Sequence, residues 1–475
     1  MTEIYKVPDS CFFRLHHSRP RFKNDVESVL LFVCQRIANI EPTPTKEFNS
    51  QLFELLRLYP GNAMKAAKTI NNWRTEIPAL FGLVETDGGV SMPGLYAKRL
   101  AQNEDLVEFF RYFLLTFQYP GGHIKPEKAA RMIEVGVDFH PAKFIIDLFL
   151  EGQKLIAPEE SFSVSSPELT ALVFNDLRVT ASKEFSPAEI ANTILKNRAK
   201  KVVYDQTGDV IRYAQDILDY LVLADILSRR QSNGRYYLKP GGQAAALAIS
   251  REAKKFEGYK YLYGLEKVNT QSVAALQHEW TNFVNQDRVS NLFAGDIFSL
   301  LESETDKNFN LQAAELIESI KNALIGTTKD IGYAGEAIVI DHEARRLKEL
   351  GRPDLSKRVK KIPDHVGIGY DIQSFDVASE EIKISIEVKT TRSRGKLKTQ
   401  SFTMTTNEWV TARTLGETYY VYRVIISEGS LRMFVIHNPY KQEQLGTLQM
   451  TPRNGAEISY TESAGRWLEL LSREK

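Results

Sequence analysis

Apolar side chains recur at helical spacing through much of the N-terminal half and at alternating spacing towards the C-terminus, so the chain reads as differently built parts. Residues 25 to 100 hold three helical patterns, DVESVLLFVCQRIANI, TKEFNSQLFELLRLY and GNAMKAAKTINNWRTEIPALF. The segment FGLVETDGGVSMPG follows, in which Asp87, Gly88 and Gly89 supply a tight hairpin turn. Helices followed by a small hairpin are the layout of a winged helix. Its third helix carries Lys65, Lys68, Asn71, Asn72 and Arg74, side chains suited to phosphates and base edges in a major groove. The same layout also serves as a protein-interaction module.

The pattern recurs. SPAEIANTILKNRAK is a helix with Ser186 as N-cap and Pro187 at its first position, and VIRYAQDILDYLVLADI is a second. LSRRQSNGRYYLKPGG then reads as strand, Asn233-Gly234 turn and strand. Each hairpin follows a helix and leads into an alanine-rich helix, which predicts two winged-helix-like units. The second wing is basic through Arg229, Arg230, Arg235 and Lys239; of Tyr236 and Tyr237, one is expected to pack inward and the other to stay available for sugar or base contact. The expected domains are 1–120 and 121–250 for DNA recognition, a helical linker over 251–330, and a last domain over 331–475.

Two further N-terminal segments carry alternatives. FFRLHHSRPRFKND gathers Arg14, His16, His17, Arg19, Arg21 and Lys23, either an arm along a phosphate backbone or minor groove, or a leader packed on its own domain. In FFRYFLLTFQYP, Phe109, Phe110, Phe113 and Phe117 form the apolar stripe of a buried helix. That stretch also resembles a segment in the DNA-recognition regions of some restriction endonucleases, shifted-cleavage types among them.

Near the C-terminus the chain reads GYDIQSFDVASEEIKISIEVKTT. Glu387 and Lys389 stand two residues apart and project from one face of a strand. If 370–376 and 382–389 pair across the polar turn Ala378 to Glu381, the Asp371 carboxylate reaches the same face. Glu387 and Lys389 interrupt the apolar run Ile382, Ile384, Ile386, Val388, where charges need a reason. Two carboxylates and an ammonium suit a hard divalent cation and hydrolysis of a phosphodiester. Upstream, IGYAGEAIVIDHEARRL is an amphipathic helix with Glu336 on its first turn; downstream come a helix centred on Glu408 and Trp409 and an apolar strand.

The succession GxxGE, GYDI, IEVKTT, TNEW and YYVYRV resembles the NO VEIN C-terminal domain family, within the restriction-endonuclease-like PD-(D/E)xK superfamily, over residues 331 to about 440. The resemblance implies that Asp371 and Glu387 are metal ligands, Glu336 a helix carboxylate near the metal, Lys389 the catalytic lysine and Gln373 an accessory in the same cleft. Tyr370 stands where the superfamily name has proline. The fold implied is a multidomain one: a mostly α, winged-helix-like N-terminal half and an α/β nuclease domain, a mixed sheet flanked by helices.

Composition narrows the function without choosing it. The 475 residues are 43% hydrophobic and 25% charged, ordinary for a globular protein, and the net charge of +1 argues against coating a polyanion. Nucleic-acid contact must come from local patches. One runs from Arg345 to Lys361, including Lys357, Arg358, Lys360 and Lys361; another includes Arg392 and Arg394. Both flank the proposed metal site and are expected to form a DNA-binding rim. Two cysteines, Cys11 and Cys34, offer neither a zinc quartet nor a disulfide framework, and no apolar run spans a membrane, so the cytoplasm is the expected compartment. No P-loop occurs, so no nucleotide cofactor is expected.

These readings combine into a Mg²⁺- or Mn²⁺-dependent, sequence-specific DNA endonuclease of type II-like restriction character, cutting within or outside its site. Its partner is double-stranded DNA, with a homodimer on DNA and a cognate methyltransferase as further expectations. A modification-dependent or repair nuclease is the alternative among enzymes. A non-catalytic DNA-binding regulatory or scaffold protein is the alternative from another class.

Overall fold

In a computed structural model, described over residues 4–20, 22, 25–62, 65–205, 210–287, 292–293, 297–301, 307–323, 331–377, 382–397, 400–453 and 455–472, most of the predicted helices and strands form, with some ends displaced. The chain gathers into two compact units, Met1–Lys98 with Val107–Phe293, and Arg99–Leu106 with Ala294–Lys475. The residues expected to form two recognition domains therefore share one unit, and the last unit takes in a short segment from early in the sequence.

In the first unit, α1 (Val26–Ala38), β1 (Thr43–Pro44), α2 (Thr45–Arg57), α3 (Ala67–Phe81), β2 (Val84–Asp87) and β3 (Val90–Pro93) follow in order. The strands form an antiparallel sheet ordered β1-β3-β2. Gly88 and Gly89 have φ of 54° and 82°, the left-handed backbone that a two-residue hairpin turn demands. Next come α4 (Leu95–Asn103) and α5 (Leu106–Thr116). The aromatic stripe of α5 is buried, with Phe113 edge-on to Phe81 at 4.8 Å between ring centroids.

The second set repeats that order. Helix α6 (Pro141–Gln153), β4 (Ser163–Val164), α7 (Pro187–Ala199), α8 (Val210–Leu223), β5 (Leu227–Arg229), β6 (Tyr236–Leu238) and α9 (Gln243–Glu252) carry a sheet ordered β4-β6-β5. Ser186 caps α7 as expected, in a capping box with Glu189. Residues 165–186 are an insertion between β4 and α7. The N-terminal leader packs on this unit: His17 is buried against Tyr119, and Arg19 pairs with Asp216 at 2.5 Å. Arg21 and Lys23 lie outside the described residues.

The other unit is built on helix α10 (Ile331–Glu349) and a six-stranded sheet. Its strands are β7 (Lys360–Lys361), β8 (Ile372–Asp376), β9 (Ile382–Arg392), β11 (Tyr419–Ser427), β12 (Ser430–His437) and β15 (Arg466–Ser472), in the order β15-β12-β11-β9-β8-β7. The β9–β11 pair is parallel and the others antiparallel. A second sheet, β10 (Ser401–Met404), β14 (Gly455–Tyr460) and β13 (Leu448–Arg453), lies with helix α11 (Thr406–Leu415) on the opposite side from α10. Ile384, Ile386 and Val388 pack with Ala334, Ala337 and Ile338 of α10. Tyr419, Val421 and Phe434 pack with Phe402, Ile458 and Ala412 on the other side. Gly335 allows the close approach of α10 to β9, because a Cβ there would stand 1.8 Å from the Thr390 hydroxyl. Among the described residues no helix is long and apolar enough to cross a membrane.

Candidate active site

Strands β8 and β9 pair as an antiparallel hairpin, Ile372 opposite Ile386; the turn at Ala378 to Glu381 lies outside the described residues. Asp371 stands one step before β8, level with Glu387 and on its face of the sheet. Its main-chain N–H donates to Ile386 O at 3.0 Å, and its Oδ2 accepts from Val388 N at 2.8 Å. The carboxylate thus satisfies an amide that β8 starts too late to reach.

Glu387, 3% exposed, lies beside Val421 of β11, and Lys389 lies beside Arg423. The Lys389 ammonium sits 2.8 Å from Glu387 Oε1 and 2.8 Å from Glu408 Oε2. Glu408 is the N3 residue of α11; it accepts from Thr405 N at 3.0 Å while its own N donates to Thr405 Oγ1 at 3.2 Å. The capping box therefore aims this carboxylate at the lysine. Sequence reasoning placed Glu408 only at the centre of a helix and gave it no role; the Thr405-x-x-Glu408 spacing directly after the ExK strand was the available signal.

Glu336 falls on the second turn of α10 rather than the first, because the helix begins at Ile331. Its Oε2 forms an ion pair with Lys361 Nζ at 2.6 Å, and Lys361 also lies 3.3 Å from Asp364 and 3.7 Å over the Tyr333 ring. Lys361 was expected on the DNA rim and instead belongs to this acidic centre. Gln373 is half-buried, opposite Ser385 and two residue pairs beyond the Asp371–Glu387 level, on the same face of the sheet.

Electrostatics tie the carboxylates together. Burial raises the pKa of Glu336 to about 7, opposed by Lys361 and reinforced by Asp371. Burial likewise raises Asp371, opposed by the Val388 amide and Lys389 and reinforced by Glu408. Glu387 is pushed well above the usual carboxylate range by burial and by the charges of Asp371 and Glu408, against the pull of Lys389. Burial opposes the Lys389 ammonium, yet Glu387 and Glu408 outweigh it and keep the group charged. One ammonium thus faces three carboxylates, leaving a surplus of negative charge in a largely dry site.

That surplus, presented by hard oxygen donors, fits a hard divalent cation in its chemistry. Among the described residues, however, no three His, Cys, Asp or Glu side chains gather tightly enough to hold a metal ion as they stand. Lys389 lies on Glu387, and Lys361 on Glu336.

The remaining predicted contacts divide. Lys68 and Asn71 are exposed on α3, Asn72 and Arg74 are half-buried, and Lys65 is exposed but precedes the helix. Arg229 and Arg230 are exposed on the β5–β6 hairpin, lying over the rings of Tyr236 and Tyr237. Both tyrosines are buried, against the expectation that one would face solvent, because β6 is the central strand of its sheet and Tyr236 is bonded to Asp219, Tyr237 to Asn233. Arg235 is half-buried and pairs with Glu168 at 3.1 Å. Lys239 is buried and its Nζ donates to Asp225 Oδ1 at 2.6 Å, a structural pair and not a DNA contact.

Lys357, Arg358 and Lys360 are exposed, with Arg358 lying over Phe375. Arg392 is 2% exposed and paired with Asp105, which removes it from any DNA rim. Arg394 is largely covered and pairs with Glu428 at 2.9 Å.

Against known proteins, residues 5–281 match the family described as restriction endonuclease BpuJI, N terminal, and residues 335–436 match protein NO VEIN, C-terminal. A crystal structure of pyrene- and phenanthrene-modified DNA in complex with the BpuJ1 endonuclease binding domain is similar at TM-score 0.52 and 20% identity, over 59% of this chain and all of that one. A structure of restriction endonuclease FokI bound to DNA aligns over 75% of this chain and 70% of that one, at 11% identity and a TM-score of 0.18, too low to relate the folds. No curated protein matches.

Proposed function

The chain belongs to the restriction endonuclease BpuJI N-terminal family, and from that membership we propose that it is a divalent-metal-dependent endonuclease of double-stranded DNA. Its first unit would read sequence through two winged-helix-like modules, and its second, of PD-(D/E)xK type, would cut. The recurring order helix, strand, helix, helix, strand, strand, with the third strand in the middle of each sheet, supports the winged-helix assignment. The observation that carries the nuclease reading is the buried cluster of Asp371, Glu387 and Lys389 at the mouth of the β8–β9 hairpin, in the part of the chain that matches the NO VEIN C-terminal family.

Asp371 and Glu387 would hold Mg²⁺ or Mn²⁺, whose chemistry there is to neutralise charge developing on the phosphate. Lys389 keeps a permanent positive charge in a dry pocket and has three donors, so it can orient a nucleophilic water or a phosphate oxygen. Glu408 fixes where that ammonium stands. Glu336, half-protonated near neutral pH, can accept or release a proton at the edge of the site. Lys357, Arg358 and Lys360 are placed to bind phosphates.

One observation favours a silent nuclease fold on a DNA-binding protein: Lys389 and Lys361 already occupy the carboxylates in question. Plasmid and methylated or unmethylated genomic DNA incubated with Mg²⁺ separate the readings. Cleavage at defined positions is expected from the unaltered protein, with Asp371→Ala, Glu387→Ala and Lys389→Ala each binding DNA and cutting none of it. Binding without cleavage by the unaltered protein, in either metal, would leave the scaffold reading.

A further inference from the structure

The nuclease unit contains eight residues from far upstream, Arg99–Leu106, and two of them carry carboxylates that are almost wholly buried. Glu104 Oε2 accepts from the Thr391 hydroxyl at 2.5 Å and from Arg423 Nη2 at 2.6 Å. Asp105 receives the Arg392 guanidinium on both oxygens, Nε to Oδ1 and Nη2 to Oδ2, each at 2.8 Å. The backbone joins in: Arg392 N donates to Glu104 O at 3.1 Å, and Asp105 forms a parallel bridge with Arg392. Glu104 adopts φ of 53°, a backbone that glutamate rarely takes, so the surrounding contacts hold it there.

These contacts grip the strand that bears the lysine. Thr391 is two residues beyond Lys389 on the same face of β9, and Arg423 is the cross-strand neighbour of Lys389 on β11. One carboxylate therefore ties together Thr391, the next residue on the face of β9 that bears Lys389, and Arg423, the residue beside Lys389 on β11. Glu408 and Glu387 hold the tip of the lysine, and nothing in that pair fixes the strand from which it springs.

We propose that Glu104 is a positioning residue for Lys389: with Asp105 it forms an acidic clasp, 287 residues upstream of Thr391 and Arg392, that sets the place of the catalytic strand. The inference rests on the nuclease reading of Lys389. It gives the segment between α4 and α5 a direct effect on cleavage, through β9 and with no contact to DNA or metal. A change in how that segment is held would then be felt at the lysine.

The test uses the full chain with Glu104→Gln and Glu104→Asp, the second keeping the charge. Three quantities are followed: DNA affinity without divalent metal, single-turnover cleavage per folded molecule well below the unfolding temperature, and backbone hydrogen exchange over residues 386–392. For Glu104→Gln the expected result is unchanged affinity, cleavage lowered at least tenfold, and faster exchange in that stretch; Glu104→Asp should recover part of both. Should the Gln variant fold poorly, the paired change Glu104→Leu with Arg423→Met removes both charges together and is expected to show the same cleavage loss in a folded protein. Cleavage per folded molecule at the parental rate, with exchange over 386–392 unaltered, would overturn the clasp. If the parent itself never cleaves but the exchange effect appears, the nuclease reading fails and the clasp stands as the element that orders β9.

Discussion

Glu336→Gln probes the electrostatics of the acidic centre directly. Burial and the neighbouring Asp371 raise the Glu336 carboxyl from 4.5 to about 7. A displacement of about 2.5 pH units, at about 1.4 kcal/mol per unit, corresponds to about 3 kcal/mol against ionisation in the fold. Because the folded-state value lies above the unfolded one, the folded protein holds the extra proton between them. This contribution is therefore most favourable below pH 4.5, and stability falls as pH rises towards 7. The neutral isostere removes that loss, so variant and parent should be alike near pH 4 and diverge to about 3 kcal/mol in favour of the variant above pH 7. Lys361 does not become an orphan, since Asp364 remains 3.3 Å away and its ammonium is partly exposed. The two compact units make a single unfolding free energy ill-defined, so the primary assay is a side-chain carboxyl ¹³C titration without divalent metal, with Glu336 assigned by its loss in the variant. A midpoint near 7 is expected. A midpoint at or below 4.5 would refute the argument that this carboxylate is short of charge compensation.

Three further outcomes follow from the same contacts. Lys239→Ala should destabilise the first unit by about 3 to 5 kcal/mol, because it strands a wholly buried Asp225, whereas Arg229→Ala should weaken DNA binding at unchanged stability; thermal unfolding and a gel-shift assay check both. Changing Asn71 or Arg74 on α3 should alter sequence preference by about 1 to 3 kcal/mol per base contact, read by selection from a random-sequence library. Neutralising Lys357, Arg358 and Lys360 together should weaken binding to all sequences alike and lower the log-log salt slope by roughly 2.7, at roughly 0.9 per lost phosphate contact. A shift in sequence preference from the last set would contradict the division between reader and cutter.

What the sequence made legible was local. The i, i+2 relation of Glu387 and Lys389 inside an apolar run, the paired glycines of the β2–β3 hairpin and the Ser186 cap each fix geometry within a few residues, and each is found in the structure. The misread residues share a different origin. Arg392 reads as a rim cation and Lys239 as part of a basic hairpin because their acidic partners Asp105 and Asp225 stand outside any local pattern. Tyr236 and Tyr237 alternate as an edge hairpin would, but the two-residue strand β4, too short to leave a periodic signature, pairs with the other edge of β6 and makes it the central strand. Lys361 was grouped with its basic neighbours until the fold brought α10 beside β7.

The distance along the chain between the clasp and its partners also orders events during synthesis. Glu104 and Asp105 leave the ribosome 287 residues before Thr391 and Arg392, and at roughly 5 to 20 residues per second that interval is about 15 to 60 s. Throughout it the two carboxylates stay hydrated and the lysine strand does not yet exist. The proposed site therefore cannot be completed until β9 and β11 have been made, and any product released before that carries the segment without the strand it holds.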